Sequence, residues 1–152
     1  MLLQESVATN TPVKNRNPFV ACPELDRRPR ILTVDDDPDI RELNTEFLVW
    51  SGYDVDTASG GVAAWKALQR NVYDLVITDN QMPDMTGVEL LKKLHIHRLR
   101  IPAIMATGTL PALETFKEHL FQPVILLKPY ALDDLLMLVK NVLLGNRSPR
   151  HH

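Results

Sequence analysis

One cysteine, Cys22, is all that 152 residues contain. A single thiol cannot close an internal disulfide, so no cross-linked framework holds this chain, and such usage fits a reducing compartment. Long apolar runs are missing as well. No stretch approaches the roughly 20 residues that a membrane-spanning helix needs, and the opening MLLQESV has neither the basic region nor the apolar segment of a signal peptide. A cytoplasmic location is expected. There is also no excess of charge of one sign: seventeen Lys and Arg against nineteen Asp and Glu give a net charge of −2. That balance does not point to nucleic acid or an acidic membrane as principal partner. What remains is a globular profile, 45% apolar and 24% charged, in a chain long enough for one ordinary domain whose core needs no staples.

The chain divides into three parts. Residues 1–29 carry Pro12, Pro18, Pro23 and Pro29 among scattered polar residues with no sustained apolar period, and are expected to be a mobile N-terminal arm. Residues 30–145 hold the folded domain, closed by a helix stop at Gly145, and 146–152 are expected to be a disordered tail. Within the domain, short apolar runs alternate with amphipathic stretches. RILTV (30–34) reads as a buried strand, after which Asp37 and Pro38 supply an N-cap and a first-turn proline. The helix that follows repeats Ile40, Leu43, Phe47 and Trp50 at helical spacing and stops at Gly52. YDVDT (53–57) alternates apolar and acidic residues, as an edge strand does. A second helix carries Val62, Trp65 and Leu68 on its inner side, and YDLVIT (73–78) is a third strand. Thr86 and Glu89 form a capping box that opens a third helix, with Val88, Leu91 and Leu94 inside and a Glu89 to Lys93 pair outside. IPAIMA, LPALETFKEHLF, PVILL and LDDLLMLVKNVLL then read as strand, helix, strand and helix. Five apolar strands alternating with five helices predict an α/β fold, a doubly wound parallel sheet covered on both faces.

In such a sheet all strands point one way, and the residues just after them collect along one edge. Strand one is followed by Asp35, Asp36 and Asp37, strand three by Asp79, strand four by Thr107, strand five by Lys128. A carboxylate ending an apolar run has no use inside a strand, so Asp79 belongs where the chain leaves the sheet. Crowded carboxylates repel one another unless a cation joins them, and hard oxygen donors suit Mg²⁺. With metal and lysine neutralising the rim, a carboxylate oxygen can attack a phosphoryl group, and a hydroxyl such as Thr107 can bond its oxygens afterwards.

These residues carry a family resemblance. From about Arg30 to Leu144 the chain resembles a receiver domain of two-component response regulators, in ILTVDDDPDI, the D-x-x-M-P turn from Asp79 to Pro83, Gly87, Thr107 after its apolar strand, and Lys128-Pro129. The resemblance implies a flavodoxin-like fold with strand order 2-1-3-4-5, an order taken from the family and not from periodicity. It implies that Asp79 is the phosphoacceptor of a phosphorelay, taking the group from a histidine kinase or phosphotransfer protein. Asp36 would bind Mg²⁺ directly, Asp35 would assist, and the backbone carbonyl of Asn80 would complete the protein's share of the metal shell. Thr107 would follow the phosphoryl oxygens and Lys128 would hold them. The chain would be a phosphoprotein of signal transduction and not an enzyme, with a downstream partner at the face of helix four, strand five and helix five.

The chain departs from the family at Ile125, where an aromatic residue commonly stands three positions before the lysine, and the interval from Thr107 to Lys128 is slightly short. Two alternatives stand beside the phosphoacceptor: a degenerate receiver serving as an interaction module or phosphate sink, and a phosphohydrolase working through an aspartyl phosphate. Other residues have plainer readings. Asp37 is an N-cap, Met82, Trp50 and Trp65 are packing residues, and Gly60-Gly61 is a turn, lacking the lysine and spacing of a phosphate loop. His95 and His97, two apart on a helix, make a poor metal pair.

Overall fold

Nine elements build the sheet and its cover in a computed structural model that describes residues 27–110 and 122–146. The strands are β1 (Arg30–Val34), β2 (Asp54–Ala58), β3 (Leu75–Asp79), β4 (Ala103–Thr107) and β5 (Val124–Leu127). The helices are α1 (Pro38–Trp50), α2 (Gly61–Arg70), α3 (Gly87–Ile96) and α4 (Leu132–Asn146). All strand pairs are parallel, in the order β2-β1-β3-β4-β5, so the expected flavodoxin-like arrangement holds. Four helices lie among the described residues. The further helix expected over LPALETFKEHLF falls, but for its first residue, outside them.

The sheet separates two cores. On one face Leu32, Val76, Ala103 and Met105 meet Ala64 and Leu68 of α2 and Leu90, Leu91 and Leu94 of α3. On the other, Ile31, Leu75, Ile77 and Ile104 meet Leu48 of α1 and Leu135, Val139 and Leu143 of α4. Each fully buried aliphatic side chain contributes roughly 1.5–3 kcal/mol, and this packing fixes the strands whose ends carry the polar residues. The ladder continues one residue past three strands: Asp35 N–H donates to Ala58 O (3.2 Å), Asn80 N–H to Ala106 O (3.1 Å) and Lys128 N–H to Thr107 O (2.9 Å). The rim residues are therefore held in register by the sheet itself.

Several local expectations need correction. The buried residues of α1 are Asn44 and Leu48, whereas Leu43 and Trp50 are 53% and 59% exposed, so Trp50 is not a core residue. The helix is rotated from its apolar stripe because the Asn44 amide finds the Tyr130 hydroxyl at 2.8 Å, which makes burial of a polar residue affordable. In α2, Gly61 and Ala64 join Leu68 inside while Val62 is exposed. Small residues there let the helix lie close to the sheet. The Glu89 to Lys93 pair does not form: Glu89 Oε1 accepts from Thr86 N–H in the capping box (2.9 Å), and Lys93 Nζ lies 5.1 Å from the centre of the Trp65 ring. Gly145 does not end the last helix, which runs through Asn146. Of the expected arm, residues 27–29 are described and tied down: Arg27 bonds both oxygens of Asp74 (2.7 and 3.0 Å), and Pro29 O accepts from Asp54 N–H (3.0 Å). Of the expected tail 146–152, Asn146 is helical and the rest lies outside the described residues.

Candidate functional site

Asp79 is the last residue of β3 and only 7% exposed. From the end of β5, two strands away across β4, Lys128 brings its ammonium to 3.1 Å from Asp79 Oδ1. Asp35 and Asp36 follow β1, the first buried and the second exposed, and Asp35, Asp36 and Asp79 each place a carboxylate oxygen within 4.8 Å of the others. Three carboxylates against one ammonium leave this corner two charges negative (3 − 1 = 2). A divalent cation would cancel that excess, and an all-oxygen donor set fits Mg²⁺.

Local bonds fix each member. Asp35 Oδ1 accepts from Asp37 N–H (2.9 Å), and the Asp35 carbonyl accepts from the Arg41 guanidinium (2.7 Å), which pins the turn that presents Asp36. Asp37 caps α1 through Asp39 and Ile40 N–H, as its plain reading required. Burial pushes the Asp35 carboxyl above its ordinary pKa, helped by the charges of Asp79 and Asp36 and opposed by the Asp37 N–H and Lys128. For Lys128, burial alone would lower the pKa, but the hydrogen bond and charge of Asp79, with Asp35 behind it, outweigh burial and hold it above the usual lysine value. The ammonium is a fixed positive charge beside Asp79.

The loop after Asp79 is closed tightly onto α3. Asn80 O accepts from Gly87 N–H (2.9 Å) and Asn80 Oδ1 from Val88 N–H (3.1 Å). A carbonyl has two lone pairs, so the Asn80 oxygen keeps one for a metal. Gly87 is required by space: a Cβ there would stand 2.5 Å from the Asp79 carbonyl oxygen and 3.0 Å from Asn80 Cα. Thr107, 1% exposed at the end of β4, engages its own loop, donating to Thr109 O (3.0 Å) and accepting from Thr109 N–H (3.3 Å). No hydrogen bond joins it to Asp79 among the described residues. Ile125 is half-buried against the core cluster of α2 and α3.

The fold thus brings together Asp35, Asp36, Asp79 and Lys128, with Asn80 and Thr107 beside them. One residue of the loop after Asp79 escaped the sequence reading. Asp84 accepts from Gly61 N–H (3.1 Å) and Val62 N–H (3.0 Å) at the start of α2, and an acid in a turn five residues after Asp79 carried no signal by itself.

A doubly wound sheet whose carboxyl edge gathers three aspartates, one of them paired with a lysine, is the arrangement of a receiver domain. The chain belongs to the response regulator receiver domain family, whose model matches residues 31–140. It is 32% identical over 117 residues to the regulatory protein AtoC of Escherichia coli K12, covering 75% of this chain and 25% of that one. It is 40% identical over 106 residues to the sensor protein EvgS of the same organism, covering 69% and 9%. The chain therefore spans a small part of these relatives. Among solved structures, the response regulator TrrA from Thermotoga maritima in complex with Mg²⁺ and BeF superposes with a TM-score of 0.64 at 33% identity, covering 75% of this chain and 98% of that one. The receiver domain of Francisella response regulator 1452 gives a TM-score of 0.71 at 28% identity, covering 79% and 100%. Among the described residues, no helix is long and apolar enough to cross a membrane.

Proposed function

We propose that this receiver is a cytoplasmic phosphoacceptor in a two-component phosphorelay, taking a phosphoryl group from a histidine kinase or phosphotransfer protein onto Asp79 and switching a partner-binding surface. The observation that carries the reading is Asp79 itself, a nearly buried carboxylate at a strand end with Lys128 3.1 Å from one oxygen and Asp35 and Asp36 alongside. Asp36, Asp79 and the Asn80 carbonyl would hold Mg²⁺, with Asp35 assisting. When bound, the metal supplies positive charge to the phosphoryl oxygens.

The chain's own part is positioning and charge. An Asp79 oxygen attacks phosphorus as the P–N bond to the donor histidine breaks. The imidazole nitrogen keeps the electron pair and takes a proton from solvent. Lys128, fixed as a cation, stays with the transferred oxygens, and Thr107 exchanges its bonds with Thr109 for one to a phosphoryl oxygen. That exchange pulls the loop after β4, and the half-buried Ile125 follows by repacking where other receivers swing a ring.

Incubation with Mg²⁺ and acetyl phosphate tests the reading. A stable added phosphoryl group on Asp79 supports the phosphoacceptor. Continuous release of inorganic phosphate would mark a phosphohydrolase, and no reaction would mark a degenerate receiver used for binding alone.

A further inference from the structure

Gly61 and Asp84 lie 23 residues apart in sequence and meet across the fold, with Gly60 beside them. Asp84 belongs to the loop between Asp79 and α3. Its two oxygens take the first backbone N–H groups of α2, Oδ1 from Gly61 (3.1 Å) and Oδ2 from Val62 (3.0 Å), where α2 has no side-chain cap of its own. The two glycines make the seat. A Cβ on Gly60 would lie 2.9 Å from both Asp84 carboxylate oxygens, and one on Gly61 would lie 2.5 Å from Met85 Cβ and 3.0 Å from the Met85 carbonyl. Neither glycine has a positive φ to explain it, so close approach of the acceptor loop is the requirement they meet.

The rest of that loop is anchored at its ends. Asn80 and Gly87 close it onto α3, and Met82 is buried in the core beneath it, leaving 6% exposed. Between these anchors the loop crosses at Pro83, Asp84 and Met85, where the α2 contact is its outer attachment. Backbone N–H bonds, from Val62 first, hold the Asp84 carboxyl below the ordinary range, so it stays charged at the positive end of α2.

We infer that Asp84 is a positioning residue for phosphoryl acceptance: by clamping the acceptor loop to the start of α2, it holds the backbone of Asp79 and Asn80 in the geometry the transfer needs. The inference rests on the proposed phosphoacceptor reading and adds α2 to the machinery. It assigns Gly60-Gly61, a bare turn in the sequence, the role of clamp seat.

Two variants break the clamp in opposite ways. Asp84→Ala removes the acceptor oxygens, and Gly61→Ala keeps them while pushing Met85 away. Each is compared with the unaltered chain for phosphorylation by acetyl phosphate at saturating Mg²⁺, well below the melting midpoint. Because small misplacements at a reacting group cost up to roughly 100-fold, both variants are expected to slow modification about 10- to 100-fold. Asp84→Asn, which keeps one acceptor oxygen, is expected to recover part of the rate. Half-saturation by Mg²⁺ without donor, which draws on Asp79 and the Asn80 carbonyl of the clamped loop beside Asp36, is expected to move to higher Mg²⁺ in both variants. Should Asp84→Ala fail to fold, Asp84→Asn carries the comparison. Wild-type rates in the folded variants would overturn the clamp while leaving Asp79 as acceptor. Absence of modification in the unaltered chain would overturn both.

Discussion

Replacing Asp36 by alanine sets metal binding against charge repulsion, and the two respond in opposite directions. Asp36 is exposed and its carboxylate comes within 4.8 Å of those of Asp35 and Asp79. At 4.8 Å a like-charge pair costs about 3.5 kcal/mol at an effective dielectric of ~20 and about 0.9 kcal/mol at ~80. Solvent reaches Asp36, so the lower end applies; two such pairs, offset in part by the Lys128 ammonium, leave about 1 kcal/mol by which removing Asp36 should stabilise the metal-free protein, a rise of roughly 3–6 °C in melting midpoint for a domain of this size. Little packing is lost, because the side chain is exposed. Mg²⁺ acts the other way round. A ligand at a hundred times its dissociation constant stabilises the native chain by about 2.7 kcal/mol, so the unaltered protein should melt well above its metal-free midpoint in excess Mg²⁺. Asp36→Ala should show almost no such rise. Thermal melts of both proteins with and without Mg²⁺ measure all four quantities. A metal-free variant that melts lower than the unaltered chain, or one that keeps the full Mg²⁺ shift, would refute the assignment of Asp36 as a ligand in a self-repelling cluster.

Three further outcomes are expected. Gly87→Ala should lower stability by about 1–3 kcal/mol in a denaturant titration, as overpacking does, because its Cβ meets the Asp79 carbonyl at 2.5 Å; a neutral result would mean that the α3 start moves freely. For Asp74, burial alone would raise the pKa, but Arg27 and the Arg30 N–H outweigh it and hold the folded value below the ordinary one. Its stabilisation is therefore present above the unfolded carboxylate pKa of about 4 and lost as pH falls through the folded value; melts across pH should show Asp74→Asn deficient at pH 7 and level with the unaltered chain in acid, and an equal deficit at every pH would contradict the linkage. Thr107→Ala should still accept phosphate while losing the change in hydrogen exchange that phosphorylation produces across Thr107 to Leu110; an unchanged exchange response would remove Thr107 from the switch.

The strands and their polar ends were legible because the signal was local and redundant. β1 lies at RILTV as read, and the acids, threonine and lysine stand at the strand ends where apolar runs stop. Asp37 and the Thr86 to Glu89 box were equally plain, since capping is decided within one helical turn. Helix faces were harder. Counting apolar positions aimed α1 through Leu43 and Trp50, but Asn44 could be buried once Tyr130, 86 residues away, supplied a partner. Size misled in α2, where Gly61 and Ala64 face inward because the space is small. Asp84 was invisible for a related reason: the N–H groups it caps belong to another helix, and nothing within its own loop marks it. Long-range pairing of a polar side chain is the part of this site that a linear pattern does not encode.

The most direct measurement is the intact mass of the chain and of Asp79→Asn after incubation with Mg²⁺ and acetyl phosphate. The unaltered protein should gain a single phosphoryl group and Asp79→Asn none, because the amide lacks the nucleophilic oxygen anion. Equal modification of both proteins, or of neither, would contradict Asp79 as the phosphoacceptor.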